Sequence, residues 1–134
     1  MVLLDRFTLS TYAYQVGGRG LDEREVRAAN VTATGGLVPD LTILLRVQPE
    51  TGMDRARRRG APDRMEASGV AFHDRVAQSF ARFEDRAWQA AHPECGPVLP
   101  VEADGTADDV EVRVLQALTE ALPALRTALT GEAR

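Results

Sequence analysis

At 134 residues, 44% of them apolar, the chain has material for one hydrophobic core. Its net charge of −4 argues against general attraction to nucleic acid or to membrane surfaces, and no run approaches the roughly 20 apolar residues of a membrane span. A single cysteine, Cys95, excludes an intramolecular disulfide and suits a reducing, cytoplasmic setting.

The elements are read in chain order. VLL (2–4) has the look of the tail of a buried strand ending at Asp5, and MVLLDRF is too short an apolar run for a secretory signal. Residues 8–33 read as mostly helical, broken at GGRG (17–20); Leu21, Val26, Ala29 and Ala33 share a face there, and acids crowd the first turn. After the loop GGLVPD (35–40), LTILLRV (41–47) is a nearly all-apolar run, the pattern of a parallel strand covered on both faces. PETGMDRARRR (49–59) opens a helix with Pro49 in its first turn. GAPDRME (60–66) is an exposed loop, and one helix then runs to about residue 91. HPECGP stops it, and VLPVEA (98–103) is a last strand. Thr106 with Asp109 forms a capping box for a final helix bearing Val110, Val114, Leu118 and Leu122, which Pro123 interrupts. Alternating strands and helices predict an α/β architecture, a parallel sheet flanked by helices and forming a single domain over 1–134.

Three stretches carry chemistry. RARRRGAPDR sets Arg55, Arg57, Arg58, Arg59 and Arg64 within ten residues, and so many guanidinium groups repel one another unless anions lie between them. Their planar forks match phosphate oxygens, although a solvated helix end favoured by the helix dipole explains them too. Asp5-Arg6 is an anion beside a cation; the aspartate suits a hydrated Mg²⁺ and the arginine a phosphate, while a structural ion pair is the plainer alternative. Ser10 with Tyr14, and Thr11 with Gln15, fall at helical spacing, where hydroxyls and an amide can read a base edge and a ring can pack on a sugar. All 16 basic residues are arginine, so any step needing a lysine must obtain it from elsewhere. His73 and His92 read as solvated helix positions, Trp88 and Phe80 as packing residues, and Cys95 as structural.

DRFTLSTYAYQ with GGRG, then PDLTILLRVQPETGMDRARRRG, then DRME, resemble in that order the thymidylate kinases, which make dTDP from dTMP and ATP. The resemblance runs from Asp5 to at least Arg75 and implies a partial P-loop nucleoside-monophosphate-kinase fold with N-terminal strands missing. It implies that Asp5 helps organise Mg²⁺, directly or through water, and that Arg6 holds the dTMP phosphate near the transferred group. Ser10 and Thr11 would face the thymine, Tyr14 would pack on the deoxyribose and disfavour a ribose 2′-hydroxyl, and Gln15 would assist. Arg55, Arg57 and Arg59 would act as catalytic cations of a lid over ATP spanning 55–66, with Arg58 and Arg64 on the ATP side and Glu66 reaching back to the nucleotide. A homodimer is usual in such families.

Three departures accompany the resemblance. Arg46 stands where an acid is usual, and Val16 replaces a frequent glycine. No G-x-x-x-x-G-K-[ST] loop, which cradles ATP phosphates, occurs in these residues. The chain therefore reads as the C-terminal portion of such a kinase, inactive by itself, with a non-catalytic nucleotide-binding or assembly subunit as the alternative.

Overall fold

The computed structural model describes residues 1–48, 51, 52, 55 and 69–124. The described chain forms two compact units, one built from residues 1–42 and 61–98, the other from 43–60 and 99–134.

The first unit is helical. Helix α1 (Thr8–Thr11) runs directly into a seven-residue π-helix (Tyr12–Gly18), and α2 spans Glu23–Thr34. Asp22 caps α2 by accepting bonds from the amides of Arg24 (2.9 Å) and Glu25 (3.2 Å), and Gly35 ends it in the left-handed conformation that only glycine adopts cheaply. Helices α3 (Val70–Arg82) and α4 (Arg86–Ala91) follow, then a 3₁₀ turn (Pro93–Cys95). The single helix expected up to residue 91 is thus two. Asp85 breaks it, because its carboxylate caps a new helix by accepting from the Ala87 (2.6 Å) and Trp88 (3.4 Å) amides.

An aromatic stack makes this unit's core. Trp88 and His92 lie face to face, 4.0 Å between centroids, and Tyr12 meets both edge-on. Phe83 closes the stack at 4.4 Å from Trp88, with Leu9, Val26, Phe72 and Val76 buried in the same unit. Trp88 is the packing residue expected of it. His92 corrects the sequence reading: it is buried, not solvated, because its ring stacks on Trp88 while both nitrogens still face polar atoms. Its Nδ1 lies 2.8 Å from the Trp88 carbonyl oxygen and its Nε2 3.0 Å from Glu23.

The second unit carries most of a two-stranded parallel sheet, β1 (Thr42–Arg46) beside β2 (Val98–Glu102), and helix α5 (Ala107–Ala121). The Thr42 amide bonds the Pro97 carbonyl at one end, and the Ala103 amide the Arg46 carbonyl at the other. The capping box is formed: Thr106 Oγ1 accepts from the Asp109 amide while the Asp109 carboxylate accepts from the Thr106 amide and hydroxyl. The helix ends before Pro123, with Leu122 out of helical conformation.

Two expectations about strands are corrected. Residues 2–4 form no strand; Val2 and Leu3 are about four-fifths exposed (83% and 78%), since a strand needs a neighbour to pair its backbone and none of the described residues pairs there. Strand β1 is not covered on both faces. Leu44 is buried but Leu45 is 54% exposed, so its all-apolar sequence overstated the cover that two strands and the helices of the described residues provide.

Candidate functional site

The DRFTLSTYAYQ stretch folds as a bend followed by one continuous helical segment. Arg6 sits in the bend with φ of +65°, the left-handed region; no other non-glycine residue among those described does so. An L-residue adopts that conformation at a cost of about 1–2 kcal/mol, and such strain gathers at functional positions. Its consequence is local: the guanidinium turns back over Tyr14, with Nη1 donating to the phenol oxygen at 3.1 Å and the cation 5.6 Å from the ring centroid. A cation fit for phosphate and a ring fit for a sugar therefore stand side by side.

The π-helix is what the sequence reading missed. From Tyr12 the turns widen, the Arg19 amide reaching back five residues to the Tyr14 carbonyl. A cap at Gly20 (φ +71°) closes the segment, with the Gly20 amide on the Val16 carbonyl and the Leu21 amide on the Gln15 carbonyl. Pairing Ser10 with Tyr14 and Thr11 with Gln15 assumed 3.6 residues per turn; the wider turn rotates Tyr14 and Gln15 away from that register. Wide turns of this kind recur at functional sites. The faint signal in the sequence is Gly17-Gly18, a pair that lets α3 approach closely. A Cβ at Gly18 would collide with the Phe72 ring, and one at Gly17 with the Ser79 hydroxyl.

Helix α3 supports the Tyr14 ring from behind. Phe72 lies 6.2 Å from it and Phe80 6.3 Å, the latter edge-on. Phe80 is thus a packing residue, placed against the candidate site itself. Ser10, Thr11, Tyr14 and Gln15 are all half-buried, and Gln15 accepts from Arg19 Nη1 at 3.0 Å. Asp5 is exposed in the bend beside Arg6. An exposed carboxylate is compatible with a hydrated Mg²⁺, an ion that binds through one or two carboxylates together with phosphates. Among the described residues no group of three or more His, Cys, Asp or Glu side chains could hold a metal by itself.

Beneath these residues lies a polar core. The Tyr12 hydroxyl donates to Glu94 Oε1 at 2.6 Å, and Arg27 Nη2 donates to Glu94 Oε2 at 2.8 Å. Burial first, then the bond to this anion, raises the Tyr12 phenol far above its ordinary range. Burial pulls the Glu94 carboxyl upward, but the Tyr12 hydroxyl, its own backbone amide and Arg27 outweigh that and hold it below the usual range. Cys95 is fully buried and its thiol is pushed up to about 11 by burial, as befits a structural residue.

In the second unit, Arg55 donates to the carbonyls of Ala103 (3.0 Å) and Gly105 (2.9 Å). Arg46, the residue out of pattern, is ion-paired with Glu102 on the neighbouring strand, so its charge is met within the sheet. Arg57, Arg58, Arg59, Arg64 and Glu66 lie outside the described residues.

Residues 1–91 match the family model for thymidylate kinase. The chain belongs to the thymidylate kinase family. It is 40% identical to the thymidylate kinase of Deinococcus radiodurans over 119 residues, 89% of this chain and 54% of that protein. To the thymidylate kinase of Hahella chejuensis it is 41% identical over 90% of its length and 55% of the relative's, and to that of a Synechococcus strain 42% over 92% and 55%. The chain spans about half the length of the curated thymidylate kinases it matches. Its two-stranded parallel sheet with helices accords with part of a nucleoside-monophosphate-kinase fold. Among the described residues no helix is long and apolar enough to cross a membrane.

Proposed function

We propose that this chain carries the dTMP side and the lid of a cytoplasmic thymidylate kinase, which transfers the γ-phosphoryl group of ATP to dTMP in nucleotide biosynthesis. The observation that carries the reading is the Arg6–Tyr14 contact, which joins a phosphate-seeking cation to a ring platform. Arg6 holds the dTMP phosphate through its planar fork. Tyr14 packs on the deoxyribose, Ser10 and Thr11 face the thymine, and Gln15 lines the same pocket. Asp5 would hold Mg²⁺, directly or through water, and the ion when bound neutralises charge on the transferred group. Arg55, Arg57 and Arg59 supply lid cations for the spread negative charge of the transition state, with Arg58 and Arg64 on the ATP side and Glu66 turned to the nucleotide. In this reading 55–66 is the lid, and the chain acts as one kinase domain with a phosphate-cradling loop supplied from outside these 134 residues.

The test is dTDP formation from ATP, Mg²⁺ and dTMP. The 134-residue chain is expected to give no turnover, and joining to it the complementary N-terminal half of the Deinococcus radiodurans relative is expected to restore it. A robust rate from the chain alone would overturn the requirement for a phosphate loop. An inactive join that also fails to bind dTMP would overturn the kinase reading.

A further inference from the structure

We infer that Arg75 is a positioning residue for the nucleoside pocket, fixing the π-helix that presents Tyr14 and Gln15; the inference rests on the dTMP reading above for its ligand. Arg75 lies on α3, outside every motif that the sequence singled out. Its Nε (3.2 Å) and Nη2 (2.7 Å) both donate to the carbonyl oxygen of Gly18, the last residue of the π-helix. The terminal carbonyls of a helix need partners from outside it, and a wide-turned helix has poorer internal geometry to spare. A forked cation on one such carbonyl ties the end of the π-helix to α3.

The same helix fixes the ring. Phe72 and Phe80, three residues before and five after Arg75, contact Tyr14, and Gly17 and Gly18 have no Cβ to hold α3 off. Ser79 bonds back to the Arg75 carbonyl at 3.0 Å, keeping its hydroxyl on its own helix where Gly17 passes. The π-helix is thus clamped at its end by Arg75 and at its middle by the Tyr14 ring. Removing the fork frees the last turn to revert toward α-helical spacing, which shifts the Tyr14 ring against Phe72 and Phe80 and rotates it relative to Arg6. Arg75 never needs to touch substrate; it sets the angle at which Tyr14 meets the sugar.

Two measurements on the 134-residue chain test this. The first compares amide hydrogen exchange at Arg19 and Leu21, which bond the Tyr14 and Gln15 carbonyls, with exchange at Val26 in α2, which bonds Asp22. Arg75→Ala is expected to speed Arg19 and Leu21 about tenfold and leave Val26 unchanged. Arg75→Lys, a point charge without a fork, is expected to fall between, and it decides the matter if the alanine variant does not fold. Unchanged exchange at Arg19 and Leu21, or equal acceleration at all three amides, overturns the proposal. The second titrates dTMP and ribothymidine 5′-monophosphate into each protein. The preference for the deoxy sugar is expected to shrink several-fold in the Arg75 variants; a preference kept while both affinities fall together overturns the positioning role. Should the wild-type chain bind neither nucleotide, the dTMP reading fails, and the exchange measurement still decides whether Arg75 fixes the turn.

Discussion

The hydroxyl of Tyr12 meets the carboxylate of Glu94, 82 residues further along the chain, at 2.6 Å. This bond, with Arg27 on the other carboxylate oxygen, ties the π-helix and α2 to the turn that precedes β2.

It makes stability depend on acid. Glu94 is held below its ordinary range in the folded state, so its contribution is fully present above the unfolded value near 4.5 and is lost as pH falls through the lower folded value. Urea unfolding between pH 7 and 3 is expected to show this loss. Glu94→Gln should cost about 1–3 kcal/mol at pH 7 and flatten the slope below pH 5. Equal slopes in variant and wild type would refute the linkage.

Cys95 tests the packing from inside. Its thiol, buried and shifted up to about 11, is expected to react with a thiol reagent at pH 8 about a hundredfold more slowly in the folded chain than in urea. Equal rates would show that the core around it is open.

Gly18 probes the close approach of α3. Gly18→Ala forces the Phe72 ring aside and is expected to cost about 1–3 kcal/mol in chemical denaturation. Phe72→Leu should itself destabilise, but the pair together should cost less than the sum of the two, because the smaller side chain makes room for the new methyl. Simple additivity would mean that the two residues do not meet.

Much of the fold was legible in the sequence. The Asp22 start of α2, the Thr106–Asp109 box and both strands follow from local rules that need only a few neighbouring residues. What was not legible depends on distant partners. The burial of His92 rests on Trp88 beneath it and Glu23 across from it, and the exposure of Val2 and Leu3 on the lack of a paired strand among the described residues. The residues of the candidate site could be named from the DRF and AYQ motifs, and Arg6 and Tyr14 do meet. Their angle could not, because a π-helix has no sequence periodicity of its own and is held by Arg75 from another helix.

Arg6 carries its own conformational test. Since φ is +65°, Arg6→Gly is expected to be about 1 kcal/mol more stable than Arg6→Ala, although both lose the same side-chain contacts with Tyr14. Denaturant titration of the two variants gives the difference. Alanine as stable as glycine would mean that the backbone there is unstrained.

The most direct measurement is calorimetric titration of the 134-residue chain with dTMP and with thymidine, in wild type and in Arg6→Ala. Saturable one-site binding of dTMP is expected, falling about thirtyfold in the variant while thymidine affinity changes little, because Arg6 addresses the phosphate. No saturable binding of dTMP, or an equal loss for nucleotide and nucleoside, would contradict a dTMP site built on Arg6 and Tyr14.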